Sequence, residues 1–156
     1  MSLTSPTVKI GITTSEVLAD DTLSATAKTV QHTLFDESIT PSPATIFSGD
    51  VYALSTGAKT LDLRALYTVG GGTGDGNGLK VQAFYFKNLG ANAMTIVGGA
   101  SNGYLIFGTS GSVVVQPGGS LCLFHNAASA DVSGTVKTID VSGTGSQEFE
   151  AAFILG

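Results

Sequence analysis

Apolar and polar residues alternate along most of this chain with a period of two, the pattern of strands with one buried face. Val8, Ile10 and Ile12 alternate with Lys9, Gly11 and Thr13. Val30, His32 and Leu34 alternate with Gln31 and Thr33, and Leu61 and Leu63 with Asp62 and Arg64. Leu79–Asn88 sets Leu79, Val81, Ala83 and Tyr85 on one face. Its other face begins polar with Lys80 and Gln82, then turns aromatic with Phe84 and Phe86. A strand that passes from half-wet to dry along its length runs from an edge into a core or an interface.

Further strands are predicted at Ala93–Val97, Tyr104–Phe107, Ser112–Gln116, Ser120–His125, Val136–Val141 and Gln147–Leu155. Turn signals separate them. Leu89-Gly90-Ala91-Asn92, Gly98-Gly99 and Gly143-Thr144-Gly145 are three; Gln116-Pro117-Gly118-Gly119 is the strongest. Proline presets φ near −65° at the first central position of a turn, and glycine accepts φ > 0 at the next. Many short strands with turns every 8–12 residues predict an antiparallel sandwich or barrel.

Helical periodicity is nearly absent. Ser15–Thr29, with Val17, Leu18, Leu23 and Ala27, is the best helix candidate, but its Ser, Thr and Asp content reads as loop plus strand. Pro41 and Pro43 make Glu37–Ser48 extended or irregular. The expected organisation is an N-terminal arm or first strands over residues 1–45 and a β-sandwich over 46–156.

Composition adds one strong constraint. Only 12% of the 156 residues are charged, about half the usual ~25%, while 42% are apolar. A sheet protein so poor in ionic groups is expected to bury an outer face against copies of itself or a larger assembly. The net charge is −5 with seven scattered Lys and Arg, so no basic patch is available for nucleic acid or an anionic membrane surface. Cys122 is the single cysteine, so no intrachain disulfide forms, and its apolar neighbours predict a buried, inert thiol. Met1–Ile10 lacks a basic start followed by an apolar stretch, and no run is long enough for a transmembrane helix. Synthesis in a cytoplasm is the expectation.

Several motifs touch on chemistry, and each has a plainer reading. Gly70–Gly78 lacks the Lys-Ser/Thr and following helix of a P-loop, and it reads as a loop between two strands. Asp75 and Asn77 lack the further oxygen ligands of a calcium loop. Gly99-Ala100-Ser101-Asn102-Gly103 fits G-x-S-x-G, yet a strand-like run follows Ser101. No acid lies between Ser101 and His125, where the Ser–acid–His order needs one. His32 and His125 are isolated, without clustered ligands for zinc. Glu148 and Glu150 share one face of the last strand, the solvated face opposite Phe149, Ala151 and Phe153. No catalytic, cofactor or metal residue is assigned, and an enzyme is not expected.

The stretch Phe84-Tyr85-Phe86-Lys87-Asn88-Leu89-Gly90-Ala91-Asn92 with Thr95-Ile96-Val97-Gly98 resembles small all-β virion proteins of tailed bacteriophages. So do Val113-Val114-Val115-Gln116-Pro117-Gly118-Gly119-Ser120 and the last strand. Capsid decoration, or cement, proteins are the nearest group, and the resemblance covers roughly Leu79–Gly156. It implies a jelly-roll-like sandwich without an active site, a homotrimer seated on the major capsid protein, and a virion location. A tail, fibre or baseplate component and a carbohydrate-binding module are the alternatives. Contacts are expected around Val8–Val17 and Pro41–Phe47. A loss of attachment on deleting Met1–Ile12 would follow for the first segment.

Overall fold

The computed structural model describes residues 6–18, 28–125 and 129–156. These residues are all strand, turn and loop, with no helix among them. Two compact units divide them, Ser5–Thr40 and Pro41–Gly156.

The first unit is a hairpin. Strand β1 (Val8–Leu18) pairs antiparallel with β2 (Lys28–Ile39), from Val8 opposite Ile39 to Leu18 opposite Lys28. A bulge between Ile12 and Thr13 shifts the register. The expected strands around Val8 and Val30 lie in this pair. Of Ser15–Thr29, the start continues β1, while 19–27 fall outside the described residues.

The second unit is an eight-stranded sandwich. Its first sheet has the order β3 (Ile46–Ala53), β12 (Glu148–Leu155), β7 (Val81–Asn88), β10 (Ser120–Phe124). Its second has the order β4 (Ala58–Asp62), β11 (Thr138–Ser142), β8 (Met94–Gly98), β9 (Ser112–Val115). Every pairing within these sheets is antiparallel. Counted along the chain, one sheet holds the first, eighth, third and sixth strands, the other the second, seventh, fourth and fifth. That order is the jelly roll. Each strand of the first half pairs with its mirror in the second half, so the chain is one long folded ribbon rolled up around its core. A short pair, β5 (Leu66–Tyr67) with β6 (Thr73–Gly74), lies in the connection after β4.

The core has two unlike halves. The first sheet turns aromatic side chains inward, because Phe149 and Phe153 alternate on β12, and Phe84 and Phe86 on β7. Phe84 stacks on Phe153 at 4.9 Å and Phe86 on Phe149 at 5.0 Å, with Tyr52 against Phe149 at 5.5 Å. The second sheet answers with aliphatic Leu61, Met94, Ile96, Val115, Ile139 and Val141, all buried. We call the two the aromatic and the aliphatic sheet.

Asn88 is a buried carboxamide, and it ties two turns together. Its Nδ2 donates to the carbonyls of Asn92 (2.8 Å) and Val115 (3.0 Å), and its Oδ1 accepts from the Gly90 amide (2.8 Å). Its backbone pairs with Gly118 and Gly119 of the predicted proline turn, where Gly118 takes the expected positive φ of 71°.

One expected strand is not formed. Residues 104–107 form no strand: the Ile106 amide bonds back to the Tyr104 carbonyl, and Gly108 turns at φ 81°. The Tyr104 hydroxyl fixes this course, accepting from the Val81 amide (3.1 Å) and donating to the Ala130 carbonyl (2.9 Å). Glu37–Ser48, expected to be extended or irregular, is extended at both ends, closing β2 through Ile39 and opening β3 at Ile46, where the last strand supplies the hydrogen bonds.

Candidate interaction surface

In β12 the residues 151–155 read Ala-Ala-Phe-Ile-Leu, in β7 the residues 83–86 read Ala-Phe-Tyr-Phe, and in β10 the residues 121–124 read Leu-Cys-Leu-Phe. Such runs are apolar on both strand faces, so these strands cannot turn a polar side outward. Register brings the outward-pointing members together. One row across the sheet is Cys122, Tyr85, Ala152 and Gly49. The next is Phe124, Ala83, Ile154 and Phe47. Only the row Ser120, Lys87, Glu150 and Val51 carries ionic groups in the middle of the face. Phe47 is 39% and Val51 50% exposed, and Tyr85, Cys122 and Ala152 are half-buried. The small side chains of Gly49 and Ala152 leave a depression of about 340 Å³, rimmed by Asp50, Val51, Tyr85 and Glu150.

The outward face of the aliphatic sheet differs. Its rows are Thr60, Asp140, Val97 and Ser112, then Ala58, Ser142, Thr95 and Val114. Thr60 donates to Asp140 (2.6 Å), and Asp62 at the end of β4 pairs with Lys137 (2.8 Å). Hydroxyls and carboxylates hydrate this face.

Cys122 sits in the apolar face rather than in the core, half-buried, with burial pushing its thiol above the ordinary range. Glu150 is half-buried at the rim of the depression, while Glu148 is exposed. The two glutamates do share the outward side of β12, with Phe149, Ala151 and Phe153 inward. Around Glu150 the surface is apolar, which the alternation of β12 by itself did not reveal.

The remaining sequence candidates are dispersed. Asp75 is gripped by Arg64 through two bonds of 2.9 and 3.0 Å and also accepts from the Asn77 amide (3.0 Å). The Arg64 guanidinium, followed by the Asn77 amide, holds the Asp75 carboxyl at a pKa of about 2. Both carboxylate oxygens therefore serve an ion pair that closes the glycine-rich loop. Ser101 lies exposed in the turn after β8, where its carbonyl accepts the Thr138 hydroxyl, and no helix follows. His32 stands opposite Thr14 in the hairpin, whereas His125 lines a cleft in the sandwich unit. That cleft, about 860 Å³, is bounded by Tyr104, Leu105, Phe107, Leu123 and Phe124, and Ser101 is not among its walls. The His125 Nε2 is buried there without a hydrogen-bond partner among the described residues. No group of three or more His, Cys, Asp or Glu side chains among the described residues is placed to hold a metal ion. No helix of the described residues is long and apolar enough to cross a membrane.

No protein-family model matches the chain, and no curated protein does. Two solved structures are similar to it. One is described as "Bacillus endospore appendages form a novel family of disulfide-linked pili", at 17% identity and a TM-score of 0.43, over 72% of this chain and 87% of that one. The other is described as "Crystal structure of PirA", at 12% identity and a TM-score of 0.41, over 68% of this chain and 92% of that one. Neither description names a phage capsid decoration protein.

Proposed function

We propose that the protein is a non-enzymatic structural subunit that assembles with copies of itself through the outward face of the aromatic sheet. One observation carries this reading. Two faces of one sandwich differ, and the apolar one gathers Phe47, Val51, Tyr85, Cys122 and Ala152 around a single Lys–Glu row. Four strands of up to eight residues make a face of about 15 by 26 Å, on the order of 400 Å². Its exposed apolar members, Phe47 and Val51 with half-buried Tyr85, Cys122 and Ala152, lie side by side on that face, and an apolar patch rimmed by polar residues is what an interaction surface offers. It also accounts for a chain with 12% charged residues, since the association hides what charge would otherwise have to solvate.

The finer form of the proposal is a decoration subunit that stabilises a phage capsid, made in the host cytoplasm and bound to the major capsid protein as a homotrimer. The sequence resemblance supports it, as does the jelly roll, a fold that recurs in virion shells. A tail, fibre or baseplate part is the competing placement. Immunogold labelling of particles released from producing cells separates the two. Label over the heads is the expected result; label confined to tails moves the subunit there, and unlabelled particles remove it from the virion. Native mass measurement on the purified chain is expected to give three copies. A single copy would overturn the assembly reading as a whole.

One observation favours a second reading, a carbohydrate-binding module: the cleft beside His125 offers a polar nitrogen without a hydrogen-bond partner among the described residues, in walls of mixed polarity. Its Tyr104 is only 3% exposed and cannot present a ring face to a sugar. A glycan array with clear hits that vanish in His125→Ala would establish that reading in place of the first.

A further inference from the structure

The hairpin and the apolar sheet face each lack the partner that would make them stable, and we infer that the hairpin of one copy lies on the aromatic sheet of another. This inference rests on the assembly reading above and names the element that fills the interface.

The hairpin has no core. Not one of its described side chains is buried, and Ile12 and Leu34 are 57% and 70% exposed. An isolated two-stranded hairpin is marginally stable at best, so this one needs a surface to lie on. Its two sides are unlike. Val8, Ile10 and Ile12 point to one side, joined there by Ile39 opposite Val8 and Glu37 opposite Ile10. The other side carries Lys9, Gly11, Ser38 and Asp36. Such a ribbon buries one side and wets the other.

Area decides against two bare sheet faces meeting alone. A standard interface buries about 800 Å² per partner, roughly twice what one such face offers. A hairpin laid on the next copy gives each chain two contacts, one donated and one received. Each chain then buries a ribbon side as well as a sheet face. Charge agrees with this pairing. Glu37 is the charged group on the apolar side of the ribbon, Lys87 is the cation on the sheet face, and neither forms an ion pair among the described residues. The depression between Gly49 and Ala152 gives an aliphatic knob such as Ile12 a place to seat. Contact between two different surfaces is head-to-tail, so it closes into a ring or runs on as a filament.

Photo-crosslinking tests this on the full chain. Benzoylphenylalanine replaces Ile12, and 15N-labelled and unlabelled chains are assembled together, irradiated and digested. The expected products join position 12 to peptides from Val81–Asn88, Ser120–Phe124 or Glu148–Leu155, with mixed-isotope pairs showing that two chains are involved. The same photoprobe at Lys9, on the wet side, is expected to give few such products, and Tyr85→Glu in the acceptor chain is expected to remove them. Products only within one chain, or joining position 12 to the aliphatic sheet, would overturn the inference while leaving an assembled protein and the broader reading intact. A protein that stays as single copies throughout would overturn both.

Discussion

The aromatic and aliphatic sheets share strand spacing, direction and a common core, yet their outward faces are chemically opposite. On the aliphatic sheet β11 alternates strictly, and the outward valines Val97 and Val114 of its neighbours stand singly among hydroxyls and the Asp140 carboxylate. Ile139 and Val141 go in, while Thr138, Asp140 and Ser142 point out. On the aromatic sheet the alternation is broken by runs such as Ala152–Phe153–Ile154, which leave an apolar group on either side. A half-buried antiparallel sheet needs only one apolar face. The second apolar face contributes nothing to folding a lone sandwich, so its presence is explained by what the surface meets. The loss of alternation in three neighbouring strands, at the same level of one sheet, is therefore the feature on which the proposed interface rests.

The largest expected effect compares one charge on each face. Tyr85→Glu places a carboxylate in the middle of the apolar rows, and burying it unpaired costs about 3 kcal/mol or more. That corresponds to at least a hundredfold weaker association. Thr95→Glu on the opposite face is expected to change association less than twofold. Sedimentation velocity over a concentration series measures both. Equal effects from the two would erase the distinction between the faces.

A smaller effect separates folding from assembly. Asn88→Ala removes the side-chain partners of the Asn92 and Val115 carbonyls and of the Gly90 amide. Unfolding in denaturant is expected to become easier by about 2 kcal/mol, from the unsatisfied buried groups. Association of the folded protein should be unchanged, because Asn88 points into the sandwich and not onto its outward face.

The smallest effect concerns the loop that supports neither face. Asp75 is ionised in the folded chain down to a pH of about 2, whereas the unfolded carboxyl titrates near 3.9. A depressed folded value contributes stability that is present above the unfolded value and is lost as pH falls toward the folded one. Carboxyl NMR is expected to show Asp75 titrating at about 2, and Arg64→Ala to return it toward the ordinary carboxylate range. Assembly near neutral pH should not respond to that substitution. If it does, the glycine-rich loop belongs to the interface.

Most of the sandwich was legible because its signals are local. Strands β7, β8 and β12 and the turn at 116–119 lie where they were expected. Strand β3 was not legible, since Ser48, Gly49 and Asp50 carry little strand signal and its hydrogen bonds come from the far end of the chain. Residues 104–107 looked like a strand because Tyr-Leu-Ile-Phe has strand composition. The tyrosine hydroxyl, bonded to Val81 and Ala130, holds them in turns instead. The interaction surface was half legible. Low charge implied a hidden apolar exterior, but only register shows that Cys122, Tyr85, Ala152 and Gly49 form one row. Cys122, expected to be a buried thiol, is half-buried on the outward side, because a residue's side of the sheet is fixed by pairing and not by apolar neighbours in sequence.

Val51 and Val114 offer the most direct comparison, because they are 50% and 55% exposed in the single chain but stand on opposite outward faces. Hydroxyl-radical footprinting of the wild-type protein in its native assembly reads both in one experiment. The expected result is strong protection of Val51, together with Phe47 and Tyr85, while Val114 oxidises at the rate its exposure sets. Equal oxidation of Val51 and Val114 would mean that the apolar face stays open to water, and the assembly surface would have to be given up.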